Sequence, residues 1–256
     1  MEKLKLISAE QNGINYDPDS SPQAWEHFKE IYTQSKCEIF AEFDTGNLII
    51  SKSKGYRRLL APLKLDSDFK QKGKFWPKFK IGGDTDFNFN WKKEQDYIKL
   101  IDNDIELLDL LNSCCSLHHS LANFSIMPVS GKLNNFKGAV FDKYDRLDRF
   151  VYELSEYYLD KEKNRRILSM SGINEEPLEN FLEVFREKRV RDGEEIDTSI
   201  YNYCQKIYFI DQKDFVNELI ENGKQPIDTR ENLKSYMELA HNYWKFRTKK
   251  WEILRN

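Results

Sequence analysis

The chain has 256 residues, 39% hydrophobic and 14% aromatic, so it can bury a sizeable core built largely from Phe, Tyr and Trp and reads as folded rather than disordered. Forty basic against 43 acidic side chains give a formal charge of -3, which supplies no global field toward nucleic acid or an anionic membrane. No apolar run approaches the roughly 18 residues of a spanning helix, and Met1 to Leu6 carry no apolar secretory core. No membrane partner and a cytoplasmic location are therefore expected.

In chain order, Met1 to Ser20 is polar, broken at Asn12-Gly13 and Asp17-Pro18-Asp19, and reads as a short strand followed by a loop. Ser21-Pro22 places a capping hydroxyl before a first-turn proline, and Trp25, Phe28, Ile31 and Tyr32 follow at helical spacing, so a helix is predicted over 22–34. Ile39, Ala41 and Phe43 then alternate up to a turn at Asp44-Thr45-Gly46-Asn47, and Leu48-Ile49-Ile50 resumes as a strand, which predicts a β-hairpin.

Lys74, Phe75, Trp76, Lys78, Phe79 and Lys80 interleave bases with aromatics. That pattern could serve as a stacking platform for single-stranded nucleic acid. The plainer reading is an edge strand with a buried aromatic face and a lysine face in water. Gly82-Gly83-Asp84 is too short for a phosphate loop and reads as a turn.

From Glu94 to about Ser116 the apolar residues return to helical spacing, with a break at Asp102-Asn103-Asp104. Tyr144 to Leu159 is an amphipathic helix through Leu147, Phe150, Val151, Leu154 and Tyr158. Its Asp145-Arg146 and Asp148-Arg149 are expected to pair within the helix on a solvated face. A helix near Glu176 to Lys188 follows, then Thr198 to Ile210 as helix or strand. The next helix, Asp211 to Asn222, is closed by Gly223 as a C′ glycine. Asp228 with Glu231 forms a capping-box pattern opening a long helix, whose Leu233, Tyr236, Met237, Ala240, Trp244 and Trp251 make one core stripe.

Phosphate-loop, dinucleotide, nucleophile-elbow and zinc-protease motifs are all missing, and no histidine has an arginine five positions upstream. Cys37, Cys114, Cys115 and Cys204 form no C-x-x-C pair and read as small buried thiols rather than a zinc site.

The densest chemistry lies between Leu117 and Gly138. In a functional reading, His118 or His119 activates water or holds a divalent metal, Asn123 or Asn135 orients the histidine, and Lys137 neutralises a phosphate. In a structural reading the asparagines brace an irregular loop through backbone groups and one histidine satisfies a buried polar contact. Spacing favours the structural reading.

The run from His119 through Asn123-Phe124 to Pro128, then Asn134-Asn135 with Lys137-Gly138, then Asp148-Arg149-Phe150 leading to Tyr157-Tyr158, resembles a family of uncharacterised bacterial proteins. That family carries a similar His-x-(Ile/Leu)-(Gly/Ala)-Asn-Phe-x-x-x-Pro run, an Asn-x-x-(Lys/Arg)-Gly turn and an Asp-Arg-Phe helix. The resemblance spans most of the chain and brings no activity with it. A second resemblance is to the end of HNH endonuclease sites, where Leu121-Ala122-Asn123-Phe124 is similar to a leucine-glycine-asparagine-leucine run. That likeness implies a metal-dependent nuclease with Mg or Mn and with Asn134 or Asn135 and Lys137 in the site. The upstream His-bearing strand of those enzymes has no counterpart, since His27 is the only histidine before Leu117 and falls on a predicted helix.

The fold expected is α+β, mainly helical after residue 94, with a small β-rich N-terminal part containing a hairpin. Residues 1–93 would form that lobe and 94–256 a helical lobe packed against it, unless both belong to a single domain. The function expected is that of a non-enzymatic interaction protein with a protein partner, in a host-defence or mobile-element setting. The alternative is an HNH-like nuclease acting on DNA or RNA through His118, His119, Asn123, Asn135 and Lys137.

Overall fold

The computed structural model of the chain describes residues 22–34, 49–53, 56–62, 80–129, 146–169, 175–191 and 193–255. Over these the protein is α+β and mainly helical. Helix α1 (Pro22–Gln34) follows the predicted bounds, and its Trp25, Phe28, Ile31 and Tyr32 are all buried. Strands β1 (Ile49–Ser53), β2 (Tyr56–Pro62), β3 (Lys80–Thr85) and β4 (Phe124–Val129) form one antiparallel sheet in that order. The observed hairpin is β1 with β2, Ser53 standing opposite Tyr56. The predicted turn at Asp44 to Asn47 lies outside the described residues.

The turn expected at Gly82-Gly83-Asp84 is a correction. These residues are the middle of β3, an inner strand that pairs with β2 through Leu60 opposite Gly82 and with β4 through Met127 opposite the same glycine. Glycine marks turns because it adopts unusual backbone angles, but neither glycine has a positive φ here. Pairing on both edges overrides the local preference.

Between β3 and helix α2 (Trp91–Ile101), residues Asp86 to Phe89 run as a buried connector. Asn90 caps α2, its side chain accepting from the Lys93 amide at 3.0 Å. The break predicted at Asp102 is real: Asp102 and Asn103 take left-handed φ of 47° and 65°, which Asp and Asn tolerate better than most residues. Asp104 then caps helix α3 (Ile105–Leu117) through the Leu107 amide at 3.1 Å.

Helix α4 (Leu147–Leu159) buries Leu147, Phe150, Val151, Leu154, Tyr157 and Tyr158. Its N-terminal charges correct the solvated-face expectation. Arg146 and Asp148 are buried and form a two-bond fork, Nη2 to Oδ2 at 2.6 Å and Nε to Oδ1 at 3.1 Å, while Arg149 pairs with Glu153, both half-buried. A short helix α5 (Arg166–Ser169) and helix α6 (Glu175–Glu183) follow. The helix predicted to run to Lys188 stops at Glu183, and a separate hairpin of β5 (Lys188–Arg191) and β6 (Glu194–Asp197) takes over. Thr198 to Ile210 resolves as helix α7 (Ser199–Tyr203) running into a π-helical turn, Cys204–Tyr208, which ends on a left-handed Phe209.

Helix α8 (Lys213–Gly223) packs on α4, and Gly223 is a correction. Its φ is not positive. A Cβ there would collide with the Asp148 carbonyl oxygen and lie 2.9 Å from the Tyr152 Cβ, so glycine is required by close helix approach rather than by capping. Helix α9 (Arg230–Arg255) is capped by Thr229, whose hydroxyl accepts from the Asn232 amide at 3.2 Å, and not by Asp228. Its predicted stripe is buried throughout and packs against α1, α2, α3 and α8. Each large stripe side chain contributes about 1.5–3 kcal/mol relative to exposure. The core is continuous from α1 to Trp251, and β4 pairs with β3 across residue 93.

Candidate functional site

Helix α3 ends in a turn that brings His118 and His119 out of the helix and closes with a 3-10 turn, Leu121–Asn123, held by Ser120 N to Leu117 O and Asn123 N to Ser120 O, both 2.9 Å. This places the Asn123 amide in the interior with no exposure. Its Nδ2 donates to the carbonyls of Phe87 at 2.8 Å and His118 at 2.7 Å. Its Oδ1 accepts from the Phe87 amide and from the Trp244 indole N–H, each at 2.9 Å. A primary amide offers two donors and two acceptor positions, so Asn123 is fully used.

His118 is buried beside it. Its Nδ1 lies 3.4 Å from both the Phe89 amide and the Phe87 carbonyl, and the tautomer decides which of the two it engages. Burial, and after it the neighbouring His119, pushes its pKa down to about 4, so the ring is neutral near pH 7. His119 is exposed, its ring 4.5 Å from that of His118. Asn135 and Lys137 lie outside the described residues. Of the five candidate residues, the structure therefore joins His118 to Asn123 in the interior and turns His119 outward. Among the described residues no group of three or more His, Cys, Asp or Glu is placed to hold a metal ion. Cys114 and Cys204 are buried with thiols raised by burial, and Cys115 is half-buried with its pKa pushed up to about 11 by the same cause.

The most elaborate polar centre lies one residue before Phe87. The Asp86 amide donates to Asn123 O at 2.7 Å, and its carbonyl accepts from the Leu147 amide at 2.9 Å. The Asp86 carboxylate, fully buried, accepts from Ser125 Oγ at 2.5 Å, Tyr243 OH at 2.6 Å and Arg247 Nη1 at 2.9 Å. Arg247 is also fully buried, and its Nη1 donates to Tyr243 OH at 2.6 Å. One aspartate thus ties β4, the start of α4 and the C-terminal half of α9 together.

Neither Asp86 nor Arg247 stands among the residues singled out from sequence. One signal was present: Arg247 sits three residues after Trp244 and four before Trp251, inside the apolar stripe, where a lone charge has to find a buried partner.

Of the basic and aromatic run, Lys74, Phe75, Trp76, Lys78 and Phe79 lie outside the described residues, and Lys80 opens β3 opposite Val129 and Pro62. No described helix is long and apolar enough to cross a membrane. Compared with protein-family models, curated proteins and solved structures, the chain matches none of them.

Proposed function

We propose that the chain is a non-enzymatic interaction protein in which the His-Asn stretch is a structural brace. The observation that carries this reading is the saturated Asn123: a side chain whose donors and acceptors all end on Phe87, His118 and Trp244 has none left to orient a catalytic histidine or touch a substrate. The neutral, inward His118 supports the same reading.

A contact surface for a protein partner is offered where α3 and α9 begin side by side. The groove there, about 540 Å³, has Leu107 and Leu110 in its lining with Asp104, Glu106, Glu231 and Glu238. Its two bases are already engaged, Arg230 with Asp104 and Lys234 with Glu238. Ile105 stands 74% exposed on the same helix turn. An apolar floor with an acidic rim suits a protein segment and opposes a phosphate backbone.

The test is to incubate the purified chain with DNA and with RNA in Mg²⁺ or Mn²⁺, beside a His118→Ala/His119→Ala variant. No cleavage by either protein is expected. Cleavage by the wild type that disappears in a folded variant would overturn the proposal in favour of a nuclease.

A further inference from the structure

Arg247 engages Asp86 and Tyr243 through Nη1 alone. Its Nε and Nη2 are buried and, among the described residues, have no hydrogen-bond partner. These two nitrogens form one side of the planar guanidinium, where two N–H bonds point in parallel toward a pair of oxygens. A carboxylate meets that edge with two bonds at once. One helical turn onward, the Trp251 indole N–H is likewise buried and unpartnered, and the guanidinium carbon lies 5.1 Å from the Trp251 ring centroid. Phe209 and Tyr243 place their rings 5.7 Å and 5.4 Å from the same carbon, so the guanidinium is packed among aromatic rings in weakly screening surroundings.

We infer that the free edge of Arg247, with the indole N–H of Trp251, is a binding site for a small carboxylate monoanion such as formate or acetate. Charge selects the class. Arg247 is already balanced by Asp86, so each further negative charge is buried in excess, and one is tolerated better than two. Shape selects it further, since a flat two-oxygen group matches a flat two-donor edge. One of the rings around the guanidinium is carried on an unusual backbone: Phe209 is a non-glycine residue at φ 61° ending a π-helical turn, and both features recur at functional sites.

The experiment titrates the full chain with sodium formate, acetate and phosphate at constant ionic strength, following by NMR the Arg247 Nε–H resonance in the wild type and Trp251→Phe, and the Trp251 indole N–H resonance in the wild type and Arg247→Lys. Formate and acetate are expected to shift both wild-type resonances saturably, and phosphate much less. Trp251→Phe, which keeps an aromatic ring and removes the donor, is expected to weaken binding several-fold, and Arg247→Lys by roughly tenfold or more, as loss of a charged two-bond contact implies. If Arg247→Lys does not fold, the wild-type titration and Trp251→Phe decide the matter. An Nε–H that does not respond to formate or acetate, affinity unchanged in Trp251→Phe, or phosphate binding as tightly as formate would each overturn the assignment.

Discussion

Asn123 grips Phe87 by both backbone groups, its Nδ2 on the Phe87 carbonyl at 2.8 Å and its Oδ1 on the Phe87 amide at 2.9 Å. The side-chain amide thereby does what a neighbouring β-strand would do for a residue that has no strand on that side. Asn123→Ala removes this and leaves both groups of Phe87 buried without Asn123. A loss of about 3–5 kcal/mol is expected, since each orphaned buried group costs roughly 1–3 kcal/mol. Asn123→Asp is expected to be no better, because an oxygen would then face the Phe87 and His118 carbonyls. Urea unfolding measures both, and a loss below about 1 kcal/mol for Asn123→Ala would remove the brace from consideration.

Asp86 and Arg247 form a buried pair 161 positions apart in sequence. Arg247→Met strands the carboxylate and Asp86→Leu strands the guanidinium, so each single change is expected to cost about 3–5 kcal/mol. The double change is expected to cost clearly less than the sum of the two. A double-mutant cycle reads this coupling directly, and simple additivity would show that the pair contributes nothing as a pair.

Gly223→Ala should move against helix propensity. In an open helix alanine is favoured over glycine by about 1 kcal/mol, whereas here the added methyl group meets the Asp148 carbonyl and the Tyr152 Cβ. A destabilisation of about 2 kcal/mol or more is expected from the forced separation of α4 and α8. An unchanged or higher melting temperature would mean that the two helices part without strain.

The buried His118 makes stability depend on pH. Its folded pKa of about 4 lies below the ordinary value of 6.5, so between those two values the unfolded chain binds the proton more readily. The contribution is therefore complete above about pH 6.5 and is lost as pH falls through that window, up to about 3 kcal/mol. His241, also lowered by burial and then by Lys245, acts in the same direction. His118→Gln is expected to flatten the wild-type slope between pH 6.5 and 4 without abolishing it, and parallel curves would show that His118 does not carry the effect.

The sequence by itself determined the elements whose signals are local. A serine and proline before a helical apolar series set the bounds of α1, a run of Asp and Asn broke α2 from α3, and the stripe from Leu233 to Trp251 announced the long core helix. The bonding of Asn123 to backbone groups was also legible, as a short amide in an irregular loop beside helix and strand signals. Tertiary structure decided the rest, because the deciding partners are far away in the chain. Gly82 and Gly83 read as a turn until β4, some forty residues on, occupies their free edge. Gly223 reads as a cap until α4 lies against it. Asp86 and Arg247 carry no sequence signature as a pair, since a buried ion pair is specified by burial and geometry in three dimensions, and neither residue can identify the other across the chain.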